Sequence, residues 1–338
     1  MNKHYLFEPG ALSDLDIAEF NSFENQSVFM TPDWIRFIQQ DSHAEPVLVR
    51  ITDDAGLVGY FAGLTVKKFG IRILGSPFNG WSTCHMCILT DRINEKCAIL
   101  HQLVPFLYKY TKCLYMEIVD RDISVEQAQQ EGFRTKPVGT LELRLDMDDA
   151  GLTKQMKVDC RNFIRQFERR GARLEVAQPD DNFAQQYYTQ LEDVFAKQGL
   201  VPTYSLQKVK TLLAAMKDTG NLLCLRVISP DDRCIATSIF LGNKQKCYFW
   251  GGASYRPDQH YRPNEYMIYT AMRHWRDQGC TLFDMVGIRD YKRKFGSYET
   301  YYASMSFTKI PLLIAGKNLT GKLYYAMGAV KGKLLRRK

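Results

Sequence analysis

Apolar positions along this chain switch between a helical and an extended spacing, and the order of the switches occurs twice. In the first half, "LSDLDIAEFNSF" and "TPDWIRFIQQ" read as helices. They are followed by extended segments at "EPVLVRIT", "GLVGYFAGLTV" and "IRILGSP". A helix over "EKCAILHQLVPFLYKYTK", a strand at "CLYMEIVD", a helix near "SVEQAQQEG" and a strand at "TLELRLDM" complete this half. The second half opens with the amphipathic stretch "MKVDCRNFIRQFERRG" and the strand "ARLEV". The helices "DDNFAQQYYTQLEDVFAKQG" and "SLQKVKTLLAAMKD" come next, then the strands "NLLCLRVI", "CIATSIFLG" and "KCYFWGGAS", with a hairpin signal at "SPDD". The helix "NEYMIYTAMRHWRDQG" leads to the strands "TLFDMVG" and "YYASMSFTK".

Each half is thus paired helices, a three-strand meander, one helix, a short strand and a closing strand. This predicts a mixed α/β (α+β) chain of two domains, 1–150 and 151–316, separated where "MDDAGLT" breaks the periodicity. The halves share little sequence, so the repeat is one of pattern.

The helix that opens the second half carries an unusual charge pattern. Lys157, Arg161, Arg165 and Arg169 stand four residues apart. At about 100° per residue they form one stripe over roughly a third of the circumference. Cys160, Phe163, Ile164 and Phe167 follow the spacing of a buried face, and Gly171 stands where a C-cap glycine belongs. The stripe is either a solvated face, partly neutralised by Glu168, or a docking rail for an anion.

Composition sharpens this picture. At 45% hydrophobic and 24% charged, the 338 residues exclude a disordered or membrane-embedded chain. The net charge of +8 is concentrated in two segments. The tail from Lys317 to Lys338 holds seven cations and no acid; Thr153 to Arg173 holds seven against Asp159 and Glu168. The remainder is net acidic. Nine scattered cysteines suit a reducing compartment, and the Cys84–Cys87 spacing has no second pair nearby, so no metal is expected. "MNKHYLFEPG" is unlike a signal peptide and no apolar run would span a bilayer, so a cytoplasmic protein is expected.

The element order resembles the GNAT acyltransferase fold, present twice. A second copy opening with a basic helix resembles the FemABX-like family and the related BioF2-like acetyltransferase group. The residues that carry the resemblance are the helix from Lys157 to Gly171, "FDMVG" (Phe283 to Gly287) and "YKRKFG" (Tyr291 to Gly296). The last stands where the family has an aromatic–Lys–x–x–Phe–Gly motif. The resemblance implies an N-acyltransferase that moves an aminoacyl or acyl group onto an amine of a cell-envelope precursor. That acceptor would be a peptidoglycan peptide, an amino sugar or a lipid-linked saccharide. The donor, aminoacyl-tRNA or acyl-CoA, would be a co-substrate, with no tightly bound cofactor. The alternatives are an acyl-CoA-dependent enzyme acting on an amino sugar or lipid amine, and a non-catalytic nucleic-acid or membrane-binding module.

In such folds two central strands splay and exposed backbone N–H groups orient the acyl donor. Trp250, Gly251 and Gly252 suit the splayed strand; they read equally as a hairpin or bulge glycine pair. The following loop, "SYRPDQHYRPNEY", lacks glycine, so Arg256 and Arg262 would hold phosphate by charge instead of by backbone donors. This departure favours aminoacyl-tRNA over acyl-CoA. Lys292 is expected on an exposed loop as an oxyanion or ribose–phosphate partner, with Tyr291 stacking or relaying a proton; surface charge is the plain alternative. Asp284, the one acid on an apolar strand, is an organiser of nearby cations or a general base. In the first half Asn79, Trp81 and Ser82 either line an acceptor groove between the domains or form a plain loop. The cationic rail would bind an acceptor diphosphate. The basic helix 317–338 would pack on the first domain through its apolar stripe, while its cations draw the protein to the inner membrane face.

Overall fold

The chain is described as a computed structural model over residues 3–310, apart from 14, 15, 69 and 79. Its first elements are β1 (Leu6–Gly10), α1 (Ile17–Asn21), α2 (Pro32–Ser42), β2 (Glu45–Asp53), β3 (Gly56–Lys68), β4 (Ile71–Ser76) and β5 (Cys87–Leu89). Then come α3 (Lys96–Thr111), β6 (Tyr115–Asp120), α4 (Val125–Gln130), β7 (Thr135–Arg144), α5 (Asp149–Gln155), α6 (Val158–Arg169) and β8 (Arg173–Val176). The order closes with α7 (Asp181–Lys197), α8 (Leu206–Met216), β9 (Leu222–Ile228), β10 (Cys234–Asn243), β11 (Lys246–Ser254), α9 (Pro263–Asp277), β12 (Leu282–Asp284) and β13 (Tyr298–Thr308). Among the described residues one compact unit comprises 3–139 and 300–310, and a second comprises 140–299.

Polar caps set where the helices begin. Thr31, Ser124, Asp148, Asp180 and Ser205 each accept a backbone N–H from the first turn of α2, α4, α5, α7 and α8. In the first unit β2, β3 and β4 form an antiparallel meander, and β6 returns parallel to β4 from Ile73–Tyr115 to Ser76–Ile118. The crossover is α3, whose Ile99, Leu100, Leu103 and Leu107 are buried against Val47, Val49, Ile51 and Met116. The second unit repeats the scheme. β9, β10 and β11 form the meander, α9 crosses over, and β12 lies parallel to β11 and antiparallel to β7.

The second unit's sheet separates two layers of helices. Cys160, Ile164 and Phe167 of α6 and Met267, Ile268, Ala271, Met272 and Trp275 of α9 share one core with Phe240, Cys247 and Phe283 of the sheet. The opposite face is covered by α7, whose Gln190 accepts from Thr237 Oγ1 at 2.7 Å. Thr237 is one residue out of phase with Ala236 of the first core, as the two-residue period of a strand requires.

The expected repeat of meander, helix and parallel strand is therefore present in both units. The sequence pattern missed β1 and β5, which have few residues each, and α5. The last occupies the segment where the helical spacing was expected to break, and Asp148 Oδ1 caps it by accepting from Gly151 N at 2.7 Å. Asn79 and the basic segment 317–338 lie outside the described residues. Among those residues no helix is long and apolar enough to cross a membrane.

Candidate active site

Two features of the second unit break its regular sheet. Phe240 faces Phe249, but the next pair along is Ile239 with Gly251, so Trp250 is an extra residue and β11 bulges there. A bulge of this kind turns two successive side chains to one face. Trp250 accordingly approaches Tyr187 and Tyr204 (ring centroids 6.5 and 5.3 Å), and a Cβ on Gly251 would sit 2.2 Å from Tyr187 Oη. Gly252 points the other way, where a Cβ would meet Ser238 Oγ at 2.5 Å. The two glycines are thus required by packing on opposite faces.

The second break lies between β11 and β12. Their ladder holds at Lys246–Leu282, Cys247–Phe283 and Tyr248–Asp284 and goes no further among the described residues. From Phe249 to Ser254, β11 continues without a partner in β12. The splayed pair expected from "KCYFWGGASY" is this wedge.

A strained turn closes the narrow end of the wedge. Val286 has φ +55°, which a β-branched side chain rarely adopts, and Gly287 follows at +77°. Six hydrogen bonds hold it there. Asp284 Oδ1 accepts from Val286 N (2.7 Å) and from Thr140 Oγ1 (2.5 Å). Thr140 Oγ1 accepts from Gly287 N (3.1 Å), Met285 N donates to Leu141 O (2.8 Å), and Lys292 Nζ donates to the carbonyls of Met285 and Val286, the latter at 2.7 Å. Backbone strain persists only where neighbours over-determine it, as they do here.

Lys292 corrects an expectation. It is 5% exposed, not a mobile loop cation, and its ammonium also lies 5.5 Å from the centroid of the Phe249 ring. The 3-10 turn Asp290–Phe295 carries it inward because Gly296 (φ +85°) lets the chain pass the end of α5; a Cβ there would meet Gln155 O at 2.4 Å. Tyr291 is 53% exposed, with its ring 5.8 Å from the Lys292 ammonium. Asp284 Oδ1 accepts from one backbone amide and one hydroxyl, where a cation partner or a general-base role was expected. Its register partner across β7 is Glu142, and both carboxylates are buried.

The cationic stripe divides into two kinds of residue. Lys157 precedes α6 in extended conformation and is exposed; its N–H donates to Lys294 O at 2.9 Å, tying this helix to "YKRKFG". Arg161 folds back and donates to Met156 O at 2.6 Å, satisfying a carbonyl left over at the end of α5. Arg165 and Arg169 are exposed. Beside them Arg262, in left-handed conformation at the start of α9, lies 4.0 Å over the Phe163 ring with Nε 3.3 Å from Gln166 Oε1. Lys294 Nζ is 5.5 Å from the same ring and pairs with Glu265 at 2.5 Å. Arg256 is exposed on the 3-10 turn Arg256–Tyr261. Trp81 belongs to the first unit, buried with Phe78 (5.2 Å between centroids).

The structure therefore gathers Trp250, Gly251, Gly252, Asp284 and Lys292 at the wedge. It adds Thr140, Glu142, Tyr187 and Tyr204, which sequence reasoning passed over. Glu142 was visible by the same sign as Asp284, an acid among leucines in "LELRL". Tyr187 is spaced like the core residues Phe183 and Leu191, and Tyr204 lies in a loop without periodicity.

A bulged strand parting from its parallel neighbour, between two helical layers, is the arrangement of the GNAT acyltransferase fold. Residues 154–293 match the family model described as an acetyltransferase (GNAT) domain. The FemABX-like fold implied by the motifs is also found. The crystal structure of FemX is similar over 88% of this chain and 97% of that one, with 14% identity and a TM-score of 0.72. L-PGS from Bacillus licheniformis is similar over 80% and 87% (13% identity, TM-score 0.51). A tandem GNAT protein from the clavulanic acid biosynthesis pathway is similar over 91% and 99% (10% identity, TM-score 0.53). At these identities the likeness is one of fold. No curated protein sequence matches the chain.

Proposed function

We propose that this protein transfers an aminoacyl or acyl group from an activated ester to a primary amine of an anionic cell-envelope precursor. The observation that carries this reading is the open wedge between β11 and β12, with the bulge at Trp250 beside it. The backbone amides between Phe249 and Ser254 that face away from β10 are the groups available to orient an acyl carbonyl and stabilise the oxyanion formed when an amine attacks it. The acceptor is a peptidoglycan peptide, an amino sugar or a lipid-linked saccharide. Its diphosphate would lie on the exposed cations Lys157, Arg165 and Arg169.

The start of α9 favours an aminoacyl-tRNA donor over acyl-CoA. Pro263 occupies the first helical position and has no N–H, and the carboxylate of Glu265 stands in the first turn. A pyrophosphate seated there would meet a missing donor and a negative charge. Arg262, fixed on Phe163, offers one guanidinium, suited to a single phosphate of a ribose end. The acyl-CoA reading needs the same wedge with its phosphates held by side chains.

A thermal-shift panel of aminoacyl-tRNA, acetyl-CoA, long-chain acyl-CoAs and UDP-linked muropeptide tests the reading. A ligand at a hundred times its Kd stabilises the folded chain by about 2.7 kcal/mol. The expected result is stabilisation by one donor class and by the muropeptide. Failure of every donor to shift the transition would overturn it.

A further inference from the structure

One end of the first unit gathers cations and exposed apolar side chains that acyl transfer does not use. The ends of β3, β4, β6 and β13 meet there. Lys67 and Lys68 at the close of β3 face Arg72 and Ile71 at the opening of β4. β4 and β6 run parallel from Ile73 and Tyr115, and Thr308 of β13 lies opposite Tyr115. Leu114 N donates to Arg72 O at 3.0 Å, which ties the turn after α3 to this hairpin. The segments that form the end, 65–72, 107–115 and 305–310, carry Lys67, Lys68, Arg72, Lys109, Lys112 and Lys309 and no acid. Glu45, on the neighbouring strand, pairs with Arg72 at 3.1 Å. Lys67, Lys68, Lys109 and Lys112 are exposed and form no ion pair among the described residues. The helix dipole accounts for cations at the C-terminus of α3, as Lys109 and Lys112 are, but not for those on the hairpin or on β13.

Apolar side chains are exposed among these charges. Tyr110 is 47% and Ile310 40% exposed. The Tyr110 ring continues into that of Phe106 (5.9 Å between centroids), and Phe106 into Phe7 (5.3 Å). Lys309 lies 4.8 Å over the ring of Tyr108, and its N–H donates to Leu114 O at 3.3 Å. β13 thus delivers the chain to this end at Ile310. The next residues in sequence, Pro311 to Ile314, are apolar, and the seven cations of 317–338 follow them. A nucleic-acid surface uses the charge but has no need of exposed aliphatic groups, whereas the boundary between lipid headgroups and acyl chains takes both.

We propose that this end of the first unit is a docking face for an anionic lipid bilayer, with its lysines against the headgroups and Tyr110 and Ile310 at the acyl boundary. The charge is complementary, since the chain outside this end and its two other basic segments is acidic. The face and the basic tail act together. One weak attachment to a bilayer is marginal and reversible, and two make binding stable, so removing either should release the protein. This inference stands apart from the wedge and from the identity of the donor.

The test is sedimentation of the full chain with vesicles of equal parts phosphatidylglycerol and phosphatidylcholine, and with phosphatidylcholine alone. Each cation near an anionic surface strengthens partitioning roughly fivefold. The triple variant Lys68→Ala, Lys109→Ala, Lys112→Ala should therefore bind anionic vesicles about a hundredfold more weakly and melt like wild type, because these side chains are exposed. Removing three lysines of the second unit, by Lys197→Ala, Lys210→Ala and Lys217→Ala, changes net charge equally and should weaken binding less than about tenfold, since screening confines the attraction to cations near the surface. Tyr110→Ser should weaken binding severalfold with its salt dependence unaltered. Equal loss in the two triple variants, no loss in the first, or equal binding of wild type to both vesicles overturns the docking face. A first triple variant that keeps vesicle binding but no longer retains tRNA also overturns it, and makes this end a nucleic-acid surface.

Discussion

Replacing Lys292 by methionine keeps most of the side chain's volume and removes its ammonium. The structure makes the consequence specific. Two carbonyls, the buried Met285 O and the half-buried Val286 O, lose a charged donor at the end of β12. A hydrogen bond to a charged group contributes about 1.5–3 kcal/mol, and a buried acceptor left unsatisfied costs a similar amount. Against this, the variant no longer keeps an ammonium away from water. The net loss should be about 2–4 kcal/mol, and the strain at Val286 adds to it because one of its restraints is gone. For a chain of this size that lowers the melting temperature by roughly 5–15 °C. Turnover should fall at least tenfold, equivalent to about 1.4 kcal/mol of barrier. Thermal denaturation followed by circular dichroism, run beside a transfer assay, reads both. A Lys292→Met protein that melts within 2 °C of wild type, by the ~2–4 °C per kcal/mol scale, would refute the role given to this buried ammonium.

Three further outcomes are expected. Gly251→Ala should destabilise by about 1–3 kcal/mol, since its Cβ would press on Tyr187 Oη, and adding Tyr187→Phe should recover part of the loss; equal melting of all three proteins would contradict the packing at the bulge. Arg161→Ala should lower the melting temperature because it strips the donor from Met156 O, whereas Arg165→Ala should leave it nearly unchanged but raise KM for an anionic acceptor and flatten its salt dependence; unaltered KM in Arg165→Ala would remove the docking rail. Deleting 331–338 should abolish salt-sensitive binding to anionic vesicles with little change in melting, each lost cation removing about 1 kcal/mol of attraction; equal vesicle binding by both proteins would end the membrane role.

Much of this fold was legible because it is written in spacing. The meander "NLLCLRVI", "CIATSIFLG", "KCYFWGGAS" and the helix at "NEYMIYTAMRHWRDQG" each follow a single period, and each lies where that period placed it. The glycine pair was legible as a break, but only the register shift at Ile239–Phe240 distinguishes a bulge from a hairpin. What spacing cannot encode is where a flexible side chain ends. Lys292 and Arg161 both read as solvent cations, yet both turn back to satisfy carbonyls that the ends of β12 and α5 leave over. Tyr187 and Tyr204 were invisible for a related reason. Their hydroxyls meet through the contact of α7 with the loop that follows it, and neither residue's neighbours in sequence record that contact.

The most direct measurement is whether this protein makes an amide. The full chain is incubated with UDP-linked muropeptide or an amino sugar acceptor and each donor in turn, and products are read by mass spectrometry. The account predicts a new acceptor species heavier by one aminoacyl or acyl group, formed with one donor class and reduced at least tenfold by Lys292→Met. An acceptor mass unchanged by every donor would contradict the claim that the wedge between β11 and β12 is a site of acyl transfer.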